Sequence, residues 1–223
     1  FIANRGEIAV RAARACQERG IAAVIPYSLE DSNALVTRIA DHEGWELAPI
    51  GGISAEESYA DPNKILEEAR FRKCDAIFLG YGFLSENADF IRACEEAKIR
   101  VLAPPSPVME LAGNKIKARE IAKKVKIGRV AHIPVLEGSD NLPTFQDASN
   151  AAAQLTYPVM LKDPDTGGGM GNLVVHNQGE LESAYRQLRM RSGNREVFME
   201  RLIANAVHVE VQIAADAYGN VVS

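Results

Sequence analysis

Lys162 closes an apolar run, Pro158-Val159-Met160-Leu161, and Gly167-Gly168-Gly169-Met170-Gly171 follows a few residues later. A lysine at the end of a buried strand is costly unless it meets an anion or water. Glycines without side chains let backbone N–H groups approach phosphate oxygens closely. Lysine and loop together would bind phosphate. The same residues also read as a snorkelling strand-edge lysine beside a mobile hairpin tip. Two other phosphate loops are excluded. The pattern G-x-x-x-x-G-K-[ST] is absent. A dinucleotide turn needs a helix directly after its glycines, and Asn172-Leu173-Val174-Val175 reads as strand.

Glu200-Arg201-Leu202-Ile203 mixes a hydrogen-bonding carboxylate with apolar surface, which suits a planar base bearing an amino group. His208, Glu210 and Gln212 alternate with Val207, Val209, Val211 and Ile213, so the sequence predicts a strand with one polar and one apolar face. The polar face is either the wall of a ligand cleft or solvated exterior. In the first half, Asn4-Arg5-Gly6-Glu7 and Gly80-Tyr81-Gly82-Phe83-Leu84-Ser85-Glu86-Asn87 each open a helix after a strand. Open α/β sheets place their sites at such strand ends, although tight turns and caps demand the same residue types.

The elements that must hold these residues differ between the two halves. Ile21–Ile25, Asp75–Leu79 and Arg100–Ala103 read as short buried strands. Helical stripes lie between them: Ile8, Ala9, Ala12, Ala13 and Cys16; then Ile65, Leu66 and Ala69; then Phe90, Ile91, Cys94 and Ala97. This βαβ rhythm implies a parallel sheet covered on both faces. Pro104-Pro105-Ser106-Pro107 interrupts it, and a helix follows over roughly 114–126. After that, strands at 158–162, 172–176 and 196–200 surround a helix at 179–190, and Tyr218-Gly219-Asn220 marks a hairpin. An antiparallel α+β region after an α/β region is expected.

Of 223 residues, 47% are hydrophobic and 25% charged, and the net charge is −5. This balance gives no reason to expect nucleic acid or an anionic membrane as partner. The longest apolar run, Ile21 to Tyr27, falls far short of the roughly 20 residues a bilayer span needs. Cys16, Cys74 and Cys94 are scattered without zinc spacing. Reduced and buried, they fit a reducing compartment, the cytoplasm or the mitochondrion. The chain opens on Phe1 and closes on Val221-Val222-Ser223, and both ends read as cut, as in a fragment.

Ile2-Ala3-Asn4-Arg5-Gly6-Glu7-Ile8-Ala9, Gly80–Asn87, Gly113-Asn114-Lys115, Tyr157–Lys162, the Gly167–Gly171 loop, and Met199-Glu200-Arg201 through His208–Gln212 occur in one order over nearly the whole chain. In that combination the chain resembles the biotin carboxylase module of biotin-dependent carboxylases. Residues 157–162 and 205–210 lean toward the urea carboxylase branch, with acetyl-CoA, propionyl-CoA and pyruvate carboxylases open. The resemblance implies an α/β architecture: a Rossmann-like pre-ATP-grasp domain over 1–112, then the N-terminal part of an ATP-grasp domain over 113–223, with a glycine-rich lid over about 158–203. It implies ATP, Mg2+ or Mn2+, bicarbonate and biotin as cofactors and substrates. The partners it implies are a biotin carboxyl carrier domain, a carboxyltransferase and a second copy of the chain. By match, Lys115 and Lys162 contact ATP phosphates, Gly168 and Gly169 lie over them, Glu200, Arg201, Leu202 and Ile203 hold the adenine, and His208 lies near sugar and phosphates. The family's catalytic and metal-binding residues are expected beyond Ser223, so no metal ligand is assigned and the 223 residues alone are expected to be inactive.

Three departures stand out. Asp165 and Thr166 occupy loop positions that are usually glycine, Phe78 and Leu79 replace His-Pro, and Asn114 replaces a common Asp. The competing expectation is a truncated or degenerate ATP-grasp module that binds nucleotide or a partner without catalysis.

Overall fold

The computed structural model describes residues 1–127, 131–132, 135–164, 171–193 and 196–223. They form two compact units, Phe1–Ala118 and Arg119–Ser223.

In the first unit, β1 (Val24–Tyr27) pairs in parallel with β2 (Glu46–Pro49), and β3 (Ala76–Ile77) with β4 (Arg100–Val101). Residues 1–3 join the two pairs. Ile2 N–H donates to Val24 O at 2.9 Å, and Ala3 N–H donates to Phe78 O at 2.8 Å. Counted along the chain, the five strands therefore lie in the order 3-2-1-4-5, the doubly wound arrangement of nucleotide-binding sheets.

Side-chain alternation sorts the core into two faces. Ile2 and Ile25 point to α1 (Gly6–Glu18) and α2 (Leu35–Glu43), through Ala9, Ala13, Val36 and Ala40. Phe1, Ala3, Val24, Ile77 and Leu79 point to α3 (Pro62–Phe71) and α4 (Ala88–Glu96), through Ile65, Ala69, Phe90, Ile91 and Cys94. Asp61 caps α3, accepting from the Asn63 and Lys64 N–H groups, and proline stands at the first helical position, where a missing N–H costs nothing. Helix α5 (Ser106–Gly113) follows the proline-rich stretch.

Helix α6 (Lys115–Lys124) crosses the division between the units. In the second unit, β5 (Lys126–Ile127) and β6 (Ala131–His132) form a short antiparallel pair. The main sheet is antiparallel, in the order β8 (Asn172–Val175), β7 (Val159–Lys162), β9 (Phe198–Arg201). One of its faces packs on α7 (Phe145–Leu155) and α8 (Gln178–Arg191), through Val159, Leu161, Val175, Met199, Ala148, Ala152, Leu181 and Leu188. Each of these sheets is confined to one unit.

The strand expected over 207–213 is not present. The chain pairs only at β10 (Ala214–Ala215) and β11 (Val221–Val222), either side of the hairpin turn. Val207 and Val209 are at least 80% exposed. Alternation supplies the faces of a strand, but the ladder needs a neighbour to receive its N–H and C=O groups, and no described segment runs beside 207–213.

Candidate functional site

The sheet of the second unit has a second face, opposite the helices. In the antiparallel register Met160 faces Glu200 and Lys162 faces Phe198. Period-two alternation puts these four side chains on one side, away from Val159, Leu161 and Met199. Lys162 and Glu200 are diagonal neighbours there, within reach of long side chains. The Lys162 ammonium pairs with Glu200 Oε2. Glu200 is buried, so a partner for its charge is required.

A second cation reaches the same carboxylate. Arg119, on α6, brings Nε to 3.4 Å from Glu200 Oε1. Its Nη2 donates to Leu136 O at 2.9 Å and its Nη1 to Ser139 O at 3.4 Å. The guanidinium lies 5.8 Å from the centre of the Phe198 ring, in cation–π range. Residues 137–142 run along the outer side of β9. Ser139 N–H donates to Met199 O, Arg201 N–H to Glu137 O, and Leu142 N–H to Val197 O. Gly138 sits where a Cβ would stand 2.3 Å from Arg119 Nη1 and 2.7 Å from Met199 O, so only glycine leaves room for the guanidinium. The result is a layered site: a strand-end lysine, a buried carboxylate, and an arginine beneath both.

The other expected residues are placed as follows. Arg201, on the rim, pairs with Glu137 at 2.5 Å. Leu202 is half-buried, its N–H donating to Pro158 O at 3.2 Å, and Ile203 is exposed. The structure thus brings together Lys162 and Glu200 and continues from them along Arg201–Ile203. His208 lies in the exposed 203–213 stretch, where Glu210 Oε2 is 3.6 Å from its Nε2, and no described contact ties it to Lys162 or Glu200. Gly168 and Gly169, with Asp165, Thr166, Gly167 and Met170, lie outside the described residues. Lys115 opens α6 and belongs to the first unit. Just before it, Asn114 caps the helix: its Oδ1 accepts from Ile116 N–H and Lys117 N–H at 3.1 and 3.0 Å. An aspartate would make the same cap, so the departure from the common Asp keeps that function. Among the described residues, no group of three or more His, Cys, Asp or Glu side chains could hold a metal ion.

Sequence reasoning missed Arg119 and Gly138. The signal for Arg119 was its place four residues after Lys115 on the same helix, which stacks the two side chains on one face. Gly138 carried no local signal, because what it makes room for comes from a different element.

In the first unit the two helix-opening motifs hold each other. Asn4, fully buried, donates from Nδ2 to Leu79 O at 2.7 Å and Tyr81 O at 2.9 Å, while Tyr81 OH donates to Glu7 Oε1 at 2.5 Å. A Cβ at Gly80, where φ is +66°, would meet Ile8 Cγ2 at 2.6 Å. This is the point where the strand order reverses, the crevice in which such sheets bind ligands. Here the Asn4 amide ties the two strand ends together. Beside it, Arg5 pairs with Asp31, which accepts from Tyr59 OH at 2.7 Å. The Asp31 hydrogen bond raises the Arg5 pKa. Burial, then the bond to Asp31, pushes the Tyr59 phenol up to about 12.

Comparison with known proteins places each unit in a family. Residues 1–109 match the biotin carboxylase N-terminal domain, and residues 114–223 match the ATP-binding domain of the carbamoyl-phosphate synthase L chain. The biotin carboxylase of Halalkalibacterium halodurans is 42% identical over 227 residues, which are all of this chain and 48% of that protein. The pyruvate carboxylase of Bacillus subtilis is 41% identical over 228 residues, all of this chain and 19% of that protein. A crystal structure of a biotin carboxylase–β,γ-ATP complex from Campylobacter jejuni superposes with a TM-score of 0.88 at 38% identity, covering 99% of this chain and 48% of that one. The chain thus spans about half of one of these relatives and a fifth of another.

Proposed function

We propose that the chain is the N-terminal part of an ATP-dependent biotin carboxylase, on the match of residues 1–109 to the biotin carboxylase N-terminal domain and of residues 114–223 to the ATP-binding domain of the carbamoyl-phosphate synthase L chain. The observation that carries this reading is the succession of the two domain matches, in order, over nearly all of the chain. In the whole protein, ATP would transfer its γ-phosphoryl group to bicarbonate, giving carboxyphosphate and ADP; the carboxyl group would pass to biotin on a carrier domain with release of phosphate, and a carboxyltransferase would then move it from biotin to the final acceptor. A second copy of the chain is the further proposed partner.

We assign a pre-ATP-grasp domain to 1–112 and the first part of an ATP-grasp domain to 113–223, with a lid over about 158–203. ATP fits the polar sheet face of the second unit. Lys162 presents a cation at a strand end, a few residues before the glycine-rich segment in the sequence, and Leu202 and Ile203 offer apolar cover for a base. Lys115, Gly168, Gly169 and His208 complete the assignment from the family resemblance. Glu200 keeps its assignment beside the adenine and has a second part: a cation faces each of its carboxylate oxygens, so its side chain also orders lysine and arginine. ATP supplies the phosphoryl group. These residues bind and orient it, and positioning plus charge neutralisation is the main means by which proteins lower the barrier to phosphoryl transfer. The described residues do not provide a ligand set for magnesium, and no step is assigned through it.

The test is made on the intact protein. ATP binding is measured by calorimetry, and phosphate release is followed with bicarbonate and biotin present. Bicarbonate-dependent release is expected. In Lys162→Ala the dissociation constant for ATP should rise at least about tenfold, equivalent to about 1.4 kcal/mol. ATP binding without any bicarbonate-dependent turnover would favour the non-catalytic module, and unchanged affinity in Lys162→Ala would remove that lysine from the site.

A further inference from the structure

We propose that Arg119 is a positioning residue for the nucleotide: it keeps Glu200 paired when Lys162 turns from that carboxylate to a phosphate. The inference rests on the assignment of Lys162 to ATP.

Glu200 is 8% exposed and is held by one cation on each oxygen. The two cations are built differently. Arg119 is fixed by two backbone carbonyls, by the Phe198 ring and by the space that Gly138 leaves open. It cannot leave without stranding those carbonyls. Lys162 is more exposed than Arg119, sits on a flexible four-carbon stem, and shows Glu200 as its partner among the described residues. Lysine is therefore the exchangeable cation and arginine the fixed one.

The exchange has an electrostatic condition. If Lys162 were the sole counter-ion, moving its ammonium to a phosphate would leave a buried carboxylate uncompensated, which is strongly unfavourable. Arg119 removes that obstacle. Its Nε is buried without a hydrogen bond and faces Glu200 Oε1 at 3.4 Å, so the carboxylate can tighten onto the guanidinium as lysine departs. Glu200 thus holds Lys162 in place until an anion arrives, and Arg119 allows it to go.

A double-mutant cycle on the intact protein tests this, with ATP affinity measured by calorimetry for wild type, Arg119→Met, Glu200→Gln and the double variant. Thermal melting confirms that each is folded. Arg119→Met is expected to weaken ATP about tenfold or more. Adding Glu200→Gln should restore at least about threefold of that loss, because a neutral amide needs no counter-ion. An arginine that acts only by holding the 136–139 backbone and the Phe198 ring would not be rescued by neutralising Glu200, so additive losses would overturn the inference, as would wild-type affinity in Arg119→Met. If Arg119→Met does not fold, Arg119→Lys takes its place in the cycle, with the same sign of coupling expected and additivity again decisive. Failure of wild type itself to bind ATP would overturn the nucleotide assignment, and the role of Arg119 with it.

Discussion

Gly138 shows how one missing methyl group can organise a charged site. A Cβ there would come within 2.6 Å of both Arg119 Nη atoms or closer, and within 2.7 Å of the Met199 carbonyl. The arginine is held by two carbonyls, and the Met199 carbonyl belongs to a paired strand, so neither yields freely. Gly138→Ala should therefore destabilise the second unit by about 1–3 kcal/mol, the usual cost of overpacking, read from urea unfolding. Unchanged stability would mean that the 137–142 segment yields instead. Tyr59 offers a residue-scale test in the first unit. Its folded pKa of about 12 lies above the ordinary value of 10. Between these values the unfolded chain loses the proton first, so stability is complete below pH 10 and falls as pH rises toward 12. The loss should be about 2 kcal/mol, and Tyr59→Phe should flatten the slope. Equal slopes in both proteins would show that the phenol is not responsible. Lys162 and Glu200 were both legible in the sequence, as a costly strand-end lysine and as an acid leaving a strand. Their pairing was not, because it is a diagonal across strands 38 residues apart.

Helix α7 carries a complete signature: Thr144 Oγ1 accepts from Asp147 N–H at 3.1 Å, and Asp147 Oδ2 accepts from Thr144 N–H at 3.1 Å. Thr144→Ala should cost about 1 kcal/mol of stability in denaturant unfolding. No measurable change would show that helix packing through Ala148, Ala152 and Leu155 already fixes that end. This helix went unread from the sequence even so, because its alanine-rich stripe has little contrast with the polar positions around it. Helices α1, α3, α4, α6 and α8 were legible through apolar residues three and four apart, and strands β7, β8 and β9 through short runs bounded by turn residues. The opposite error occurred at 207–213, where period-two alternation was read as a strand. Alternation describes a chain that could lie on a sheet, and it carries no information about whether a neighbouring strand is there to accept it.

The whole molecule divides its labour between two separate cores. In one unit Asn4 clasps the Leu79 and Tyr81 carbonyls where the strand order reverses, and the other unit carries the charged face. Since the 223 residues span 48% of the biotin carboxylase relative, they should show no bicarbonate-dependent ATP hydrolysis when produced alone. Turnover matching the intact protein would show that the remaining half is dispensable. The doubly wound order was legible as a βαβ rhythm, but the position of residues 1–3 at its centre was not, since no local pattern says which strand will be flanked on both sides. That position bears on synthesis. Residues 1–3, made before both of their neighbours, can pair with β1 early, yet their other edge waits for Phe78, and Asn4 waits for a carbonyl 75 residues downstream. Until then the nascent unit exposes Phe1, Ala3 and the unfilled clasp, and its protection from protease should switch on abruptly in arrested chains only after the segment through Tyr81 has cleared the exit tunnel.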